Sequence, residues 1–328
     1  MSDSVTIQVP ARLHVGFLDI PGKTSGRFGS IGLPLETIST VLTVARARET
    51  SVEGGEQARI RAHIAKLSAH LGIDGHHKVI VHRTIPSHSG LGSGTQLALA
   101  VSAALRTLHE LPFAIRDDAV FLGRGTRSGI GIAAFDRGGL IIDAGKGQDD
   151  QAPTVISRIP FPENWRVILV FDHHHQGIHG EAEIAAFSAL PPFAETSSST
   201  ICRTTLMALM PSLIEGDLAA FGKAVETIQT EIGRYFAPAQ GGLFTSKAVE
   251  TAVRKLAVHG AVGIGQSSWG PTGFAFTESQ EAAEQIVDDA GIDEPGLSTR
   301  IVPARNLGAK ITQTVMPPQF GLRQGRIH

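Results

Sequence analysis

A chain of 328 residues with 29 basic and 31 acidic side chains, 42% hydrophobic and 18% charged, has the length of about two globular domains and the balance of a soluble protein. Its near-neutral charge, with no basic block, argues against nucleic acid or an acidic membrane surface as the main partner. The lone cysteine, Cys202, excludes a disulfide framework and a cysteine zinc site; a start with no basic or apolar leader and no apolar run near ~18 residues leads us to expect a cytoplasmic protein with no membrane segment.

Polar and apolar residues alternate over 5–9, and an apolar pattern resumes over 13–18 after Pro10-Ala11-Arg12, which predicts two strands. Glycines, prolines and Arg27 between Ile20 and Pro34 predict a long loop. A strand is predicted over 38–47, then a helix set by Ile60, Ile64, Leu67 and Leu71 that stops near Gly72. Residues 78–85 read as a strand, and 95–109 as an amphipathic helix carrying Leu97, Val101, Ala104, Leu105 and Leu108. Between them runs Pro86-Ser87-His88-Ser89-Gly90-Leu91-Gly92-Ser93-Gly94-Thr95-Gln96. A glycine-rich turn from strand to helix aims free backbone N–H groups, with the positive helix end behind them, at one point. That is an anion site, suited to phosphate or pyrophosphate. It is not a Walker loop, since no lysine occurs between Lys78 and Lys146, nor a dinucleotide fingerprint, since Thr95 and Leu97 stand where a third glycine belongs.

A helix over 117–123, capped by Asp117, runs into the glycine-rich stretch 123–135, and a strand follows over 139–144. Residues 147–153 form a polar loop, and 166–171 (RVILVF) an apolar strand that ends at Asp172. His173, His174, His175 and His179 come next, but neighbouring residues point different ways, so Asp172 is the better candidate for a divalent cation. Glu181 and Glu183 read as helix-face charges. Apolar stripes predict helices over 182–190, 201–213, 218–230 and 247–258, the last two capped by Asp217 and Ser246. A glycine-rich segment at 260–265, strands over 272–277, 299–304 and 310–316, and a helix over 280–290 complete the chain. This order predicts an α+β second half with helices on one face of an antiparallel sheet.

The Pro-x-x-x-Gly-Leu-Gly-Ser of 86–93 resembles the phosphate loop of the GHMP superfamily, which includes galactokinase, homoserine kinase and mevalonate kinase relatives. Val9-Pro10-Ala11-Arg12-Leu13-His14-Val15-Gly16 sits where the superfamily has its first motif. Gly263-Ile264-Gly265 through Gly270-Pro271-Thr272-Gly273-Phe274 sits where it has its third. The resemblance implies a ribosomal-S5-domain-2-like domain over 1–175, a ferredoxin-like domain over 176–328, and substrates held between them. The run Gly125-Thr126-Arg127-Ser128-Gly129-Ile130-Gly131 departs from the pattern of the mevalonate-kinase-like members, Gly-Thr-Pro-Ser-Gly-Ile-Asp. Arginine replaces the proline, and glycine replaces the aspartate that would assist an attacking hydroxyl.

Gly123-Arg124-Gly125-Thr126-Arg127-Ser128-Gly129-Ile130-Gly131-Ile132, Gly265-Gln266-Ser267-Ser268-Trp269-Gly270-Pro271, and the run from Ala224 through Ile228-Gln229 to Gly233-Arg234-Tyr235-Phe236 resemble the β-ribofuranosylaminobenzene 5′-phosphate synthase family. That resemblance implies a non-kinase enzyme. It would join phosphoribosyl pyrophosphate to 4-aminobenzoate or 4-hydroxybenzoate through carbon, losing pyrophosphate and carbon dioxide, in methanopterin biosynthesis. Arg124, Arg127 and Ser128 form the candidate catalytic set, the arginines suited to a phosphate or to the benzoate carboxylate. Ser89, Gly90, Leu91, Gly92, Ser93, Gly94, Thr95, Gln96, Arg12, His14, Gln266, Ser267, Ser268 and Trp269 are the candidate substrate contacts, with Trp269 stacking on the acceptor ring. Mg²⁺ is expected on Ser93 and Asp172, no ATP is expected, and a homodimer is the expected assembly. An ATP-dependent small-molecule kinase of the same superfamily is the alternative. An S5-like RNA-binding protein is a third reading, disfavoured by the near-neutral charge.

Overall fold

Apolar alternation carries straight through Pro10, so Ser4–Phe17 is one strand, β1, and not the two expected. It pairs with Ser30–Ala47 (β2), and the register shifts between Pro10 and Arg12 and again between His14 and Gly16. Bulges accommodate proline and re-aim side chains, and these two bracket Arg12 and His14. The structure, a computed structural model, describes residues 3–20, 28–147, 151–177 and 180–314; Arg27 and His179 lie outside them.

Ser51–Glu53 (β3), Gln57–Leu71 (α1), His76–Arg83 (β4) and Ser93–Leu108 (α2) follow. Ile115–Phe121 (α3) begins after Ala114, which supplies no side-chain cap; Asp117 lies inside its first turn rather than at its start. Ile130–Asp136 (α4), Leu140–Asp143 (β5) and Val155–Ile159 (β6) come next, then Arg166–Asp172 (β7) and Gly180–Ala189 (α5). Glu195–Thr204 (α6) passes through a wide π turn, Thr205–Leu209, into Met210–Glu215 (α7). Leu218–Gln240 (α8) runs past its expected end at 230 and contains Pro238. Lys247–Val258 (α9), Val262–Gln266 (β8), Gly273–Thr277 (β9), Gln280–Ala290 (α10), Leu297–Pro303 (β10) and Lys310–Thr314 (β11) complete the described chain. Asp217 and Ser246 cap α8 and α9 as expected, accepting from the Ala220 and Val249 N–H groups.

One sheet has the order β11-β1-β2-β4-β3, with β5 on β2 and β6 on β5; the other is antiparallel, β10-β7-β9-β8. Val5, Ile7, Val9, Leu42, Val44 and Val79 of the first sheet are buried with the apolar residues of α1 and α2. Its other flank shares a core with the second sheet, in which Leu13, Val15 and Leu33 cluster with Val167, Leu169, Phe274 and the Phe221, Val225 and Ile228 of α8. Each such side chain, fully buried, is worth about 1.5–3 kcal/mol. Ile168 and Val170 belong instead to the cluster with α9 and α10. The second sheet is therefore covered on both faces, not one, which is why RVILVF reads as an unbroken apolar run. The division expected at 175 is displaced as well: β7 already pairs in the second sheet, so the change-over lies between β6 and β7, and β11 returns to the first. No described helix is long and apolar enough to cross a membrane.

Candidate active site

The turn between β4 and α2 is held from two sides. Gly90 and Gly92 take φ of +77° and +79°, and a Cβ on Gly90 would lie 2.2 Å from the Ser267 carbonyl oxygen, so only glycine fits. The Gly90 carbonyl accepts from Arg12 Nη1 at 2.7 Å and from Ser267 Oγ at 2.8 Å. The Arg12 N–H donates to the Leu91 carbonyl at 3.1 Å. With its carbonyls drawn onto β1 and the β8–β9 turn, the loop leaves Ser93, Gly94 and Thr95 half-buried in the first turn of α2, with no side chain capping the helix. Those orphan donors and the helix dipole favour an anion there.

Cations surround that turn. A Cβ on Gly92 would lie 3.0 Å from Arg12 Nε, and one on Gly94 would lie 2.8 Å from Arg59 Nη2 and 3.6 Å from Arg124 Nη1. Arg12 Nε, Arg124 Nε, His14 Nε2 and His63 Nε2 are buried without a hydrogen-bond partner. Burial brings Arg12 down to about 10, with the field of Glu183 opposing, and burial and then Arg59 lower Arg124. Burial and then Arg12 push His14 down to about 3; burial, Arg124 and Arg59 push His63 down to about 4. Both imidazoles are therefore neutral near pH 7 while the guanidinium groups stay charged. Arg59 meets Glu56 at 2.9 Å, and Glu56 also accepts from Ser87 Oγ.

The stretch 123–131 closes the next wall. A Cβ on Gly131 would lie 3.0 Å from Thr95 Cγ2, and the Gly131 carbonyl accepts from Gln96 Nε2 at 2.7 Å, so the aspartate of the kinase pattern would press on Thr95. Ser128 faces the framework: its hydroxyl accepts from the Ile130 N–H at 3.3 Å and donates to Asp143 at 3.5 Å. Asp143 also accepts from the Gly129 and Gly145 N–H groups at 3.0 and 2.7 Å, and burial outweighs these donors to raise it to about 6. Arg127 Nη1 lies 2.5 Å from Glu183 Oε1, and its guanidinium sits 4.6 Å from the Phe187 ring centre. Phe187 meets Trp269 edge-on at 5.4 Å, and Phe236 lies 4.2 Å from Trp269. Trp269 is 3% exposed with its Nε1 unpartnered, and the ring of His14 packs 4.4 Å from Phe17. Trp269 is thus walled by protein rings instead of presenting an open face.

Several expected contacts are spent on holding the walls together. Ser89 bonds the Pro86 carbonyl, the Leu91 side chain is fully buried, and Gln96 ties α2 to α4. Ser267 accepts from the His14 N–H at 3.0 Å while bonding Gly90. Gln266 accepts from the Thr245 N–H and donates to the Ser268 carbonyl. Ser268, at φ +56°, is half-buried, and its N–H faces the His14 carbonyl at 3.4 Å. Asp172 is not available as a cation ligand. Its carboxylate already accepts from the His174 and His175 N–H groups, from His175 Nδ1 at 2.7 Å and from Ser246 Oγ at 2.6 Å. Burial would raise its pKa, but these donors outweigh it and hold it below the ordinary value. His173 Nε2 pairs with Ser298, and the described residues hold no group of three or more His, Cys, Asp or Glu suited to a metal ion.

Residues 58–139 match the family GHMP kinases N terminal domain, and residues 209–292 match GHMP kinases C terminal. Over 326 residues the chain is 33% identical to the beta-ribofuranosylphenol 5′-phosphate synthase of Archaeoglobus fulgidus, covering 93% of this chain and 98% of that protein. The chain belongs to the β-ribofuranosylphenol 5′-phosphate synthase family. The family's protein from Methanocaldococcus jannaschii is 31% identical, with 93% and 99% covered. Members of the family are enzymes, synthases on a GHMP scaffold that are not kinases. Among solved structures, homoserine kinase from Cytophaga hutchinsonii (TM-score 0.70, 18% identity, 95% of this chain and 98% of that one) shares the two-domain GHMP fold. So does mevalonate diphosphate decarboxylase from Staphylococcus aureus (0.69, 16%, 95% and 98%).

Arg59, His63, Glu183, Phe187 and Asp143 line or brace the candidate site and were not among the residues that sequence reasoning proposed for it. Arg59 with His63, and Glu183 with Phe187, are each spaced four apart on one helix. That spacing puts both members on one face, a signal the sequence carried without saying what the face met.

Proposed function

We propose that this protein transfers the ribosyl 5-phosphate unit of phosphoribosyl pyrophosphate to the carboxylate-bearing ring carbon of 4-hydroxybenzoate or 4-aminobenzoate, releasing pyrophosphate and carbon dioxide in methanopterin biosynthesis. The observation that carries this reading is the pairing of a cation-ringed phosphate loop with an aromatic wall, at a site where glycine stands at 131 in place of the kinase aspartate and a Cβ there would lie 3.0 Å from Thr95. The ribosyl C1–oxygen bond breaks and its electron pair leaves with pyrophosphate. The N–H groups of residues 93–95, with Arg59 and Arg124, are suited to that developing charge. The ring carbon supplies the pair for the new carbon–carbon bond. Its bond to the carboxylate then breaks, that pair restores the aromatic ring, and carbon dioxide departs. No alcohol proton is removed, so no base is needed at 131. The packed rings of Phe17, Phe187, Phe236 and Trp269 form an apolar wall that would disfavour hydration of a carboxylate beside it and so favour its loss. The ribosylphenol in the relatives' name supports the hydroxy acid as acceptor. Magnesium enters this reading with the donor, bound to its pyrophosphate, and ATP has no part.

The test uses 4-hydroxybenzoate labelled in its carboxyl group, with phosphoribosyl pyrophosphate and Mg²⁺ but no ATP. Labelled carbon dioxide and pyrophosphate should appear one for one. Label retained in a ribosylated product would refute the decarboxylating route, and ATP-dependent phosphorylation of an alcohol without pyrophosphate would establish the kinase alternative.

A further inference from the structure

Helix α5 carries a carboxylate and a phenyl ring one turn apart, on Glu183 and Phe187, and both are directed at the cations and rings of the site. Glu183 meets Arg127 at 2.5 Å and is the acid whose field opposes the lowering of Arg12. Phe187 lies beneath the same Arg127 guanidinium at 4.6 Å. It also meets Trp269 at 5.4 Å, Phe236 at 5.6 Å, Phe17 at 6.5 Å and Phe28 at 5.8 Å. A carboxylate held by a guanidinium group, beside a phenyl ring held in an aromatic box, is the recognition pattern of an aryl carboxylate.

We propose that α5 occupies the acceptor subsite of its own protein: Glu183 and Phe187 stand in for the carboxylate and ring of an aryl carboxylate, which must displace them to bind. This rests on the acceptor chemistry proposed above and sharpens it. Arg127 becomes the carboxylate ligand, whereas Arg59 and Arg124, converging on Gly94, are left for phosphate. The geometry also accounts for the closed surroundings of Trp269, whose neighbour Phe187 belongs to the displaceable helix. The Arg127–Glu183 pair is only half-buried, with side chains 27% and 25% exposed, so exchanging one carboxylate for another there costs little desolvation.

The test weakens the self-contact and asks whether the acceptor binds better. Glu183→Gln keeps the shape and removes the charge that competes for Arg127; Glu181→Gln, exposed on the same helix, is the control. In steady-state assays Glu183→Gln should lower the KM for 4-hydroxybenzoate roughly two- to fivefold, the scale of a partly exposed ion pair, and move the KM for phosphoribosyl pyrophosphate less than that for the acceptor. An unchanged or raised acceptor KM overturns the proposal. A second arm needs no turnover. Trp165→Phe leaves Trp269 as the one tryptophan, and 4-hydroxybenzoate should change its fluorescence as Phe187 withdraws, at a lower midpoint in the Glu183→Gln background. Acetate at equal concentration, a charge without a ring, should not. The same titration in protein that keeps Trp165, packed with Phe161 and Phe221, guards against a folding defect. No fluorescence change, a midpoint indifferent to Glu183, or an equal response to acetate each overturns the proposal. If the wild type turns over no substrate but the midpoint shifts as expected, the reaction assignment fails and the self-occupied subsite stands.

Discussion

Replacing His14 with phenylalanine tests whether the imidazole at the site is neutral. His14 is 4% exposed, its Nε2 has no partner, and its value drops from 6.5 to about 3, through burial first and the nearby Arg12 second. A group that titrates normally when unfolded but resists protonation when folded contributes stability that is full above 6.5 and is lost as pH falls from 6.5 towards 3. Each pH unit in that window is worth about 1.4 kcal/mol, so acidification from pH 7.5 to 5.0 should cost the wild type about 2 kcal/mol through His14 alone. Phenylalanine keeps a ring against Phe17, 4.4 Å away, and cannot take up the proton. His63 and His77, both lowered to about 4, also contribute to acid sensitivity, but they do so equally in the two proteins. Urea unfolding at both pH values should therefore show His14→Phe losing about 2 kcal/mol less than the wild type. Equal losses would refute the reasoning and mean that His14 protonates freely in the folded protein.

Gly94→Val places a side chain between Arg59 and Arg124 at the first turn of α2. It should abolish calorimetric binding of inorganic pyrophosphate while shifting the melting temperature only slightly, since glycine is itself a poor helix former; full affinity in the folded variant would remove the anion site from this turn. Asp172→Asn should cost about 1–3 kcal/mol of stability, because the carboxylate's charge-assisted bonds to Ser246, His174 and His175 weaken. The Mg²⁺ concentration for half-maximal turnover should stay the same; a large rise would make Asp172 a metal ligand after all.

The phosphate loop was legible because its chemistry is local: Gly90, Gly92 and Gly94 announce a backbone that must come close to something. The partners were not legible. Arg59 shares its helix with Arg61 and Lys66, which are exposed surface charges, and only the folded approach to Gly94 distinguishes it. Glu183 reads as a helix-face charge for the same reason, and its value depends on meeting Arg127 across some fifty residues of chain. Pro10 looked like a break between strands because a ladder N–H is normally required, yet the register shift beside it removes that requirement. Gly263 and Gly265 concealed β8 by lowering its strand propensity; they are needed because Gly265 lies against Gln229 and Gly263 against Phe276 and Gly222. Gln266 and Ser267 read as ligand contacts, whereas Ser267 joins β1 to the loop through the His14 N–H and the Gly90 carbonyl, and Gln266 bonds Thr245 and Ser268.

The return of β11 to β1 has a mechanical consequence. The chain crosses from one sheet to the other twice, once after β6 and once after β10, and the second crossing is riveted where Arg305 bonds the Pro34 carbonyl at 2.9 Å and Glu36 at 2.6 Å. A body tethered at one point can swing open widely, but two tethers restrict it to rocking about the line that joins them. β1 pairs with β2 along its length, Arg12 and His14 included, and with β11 over Ser4–Gln8, the half of the strand that precedes them. Clipping the chain ahead of Lys310 would thus free the Ser4–Gln8 half of β1 along one edge, without touching any group that meets the ligand.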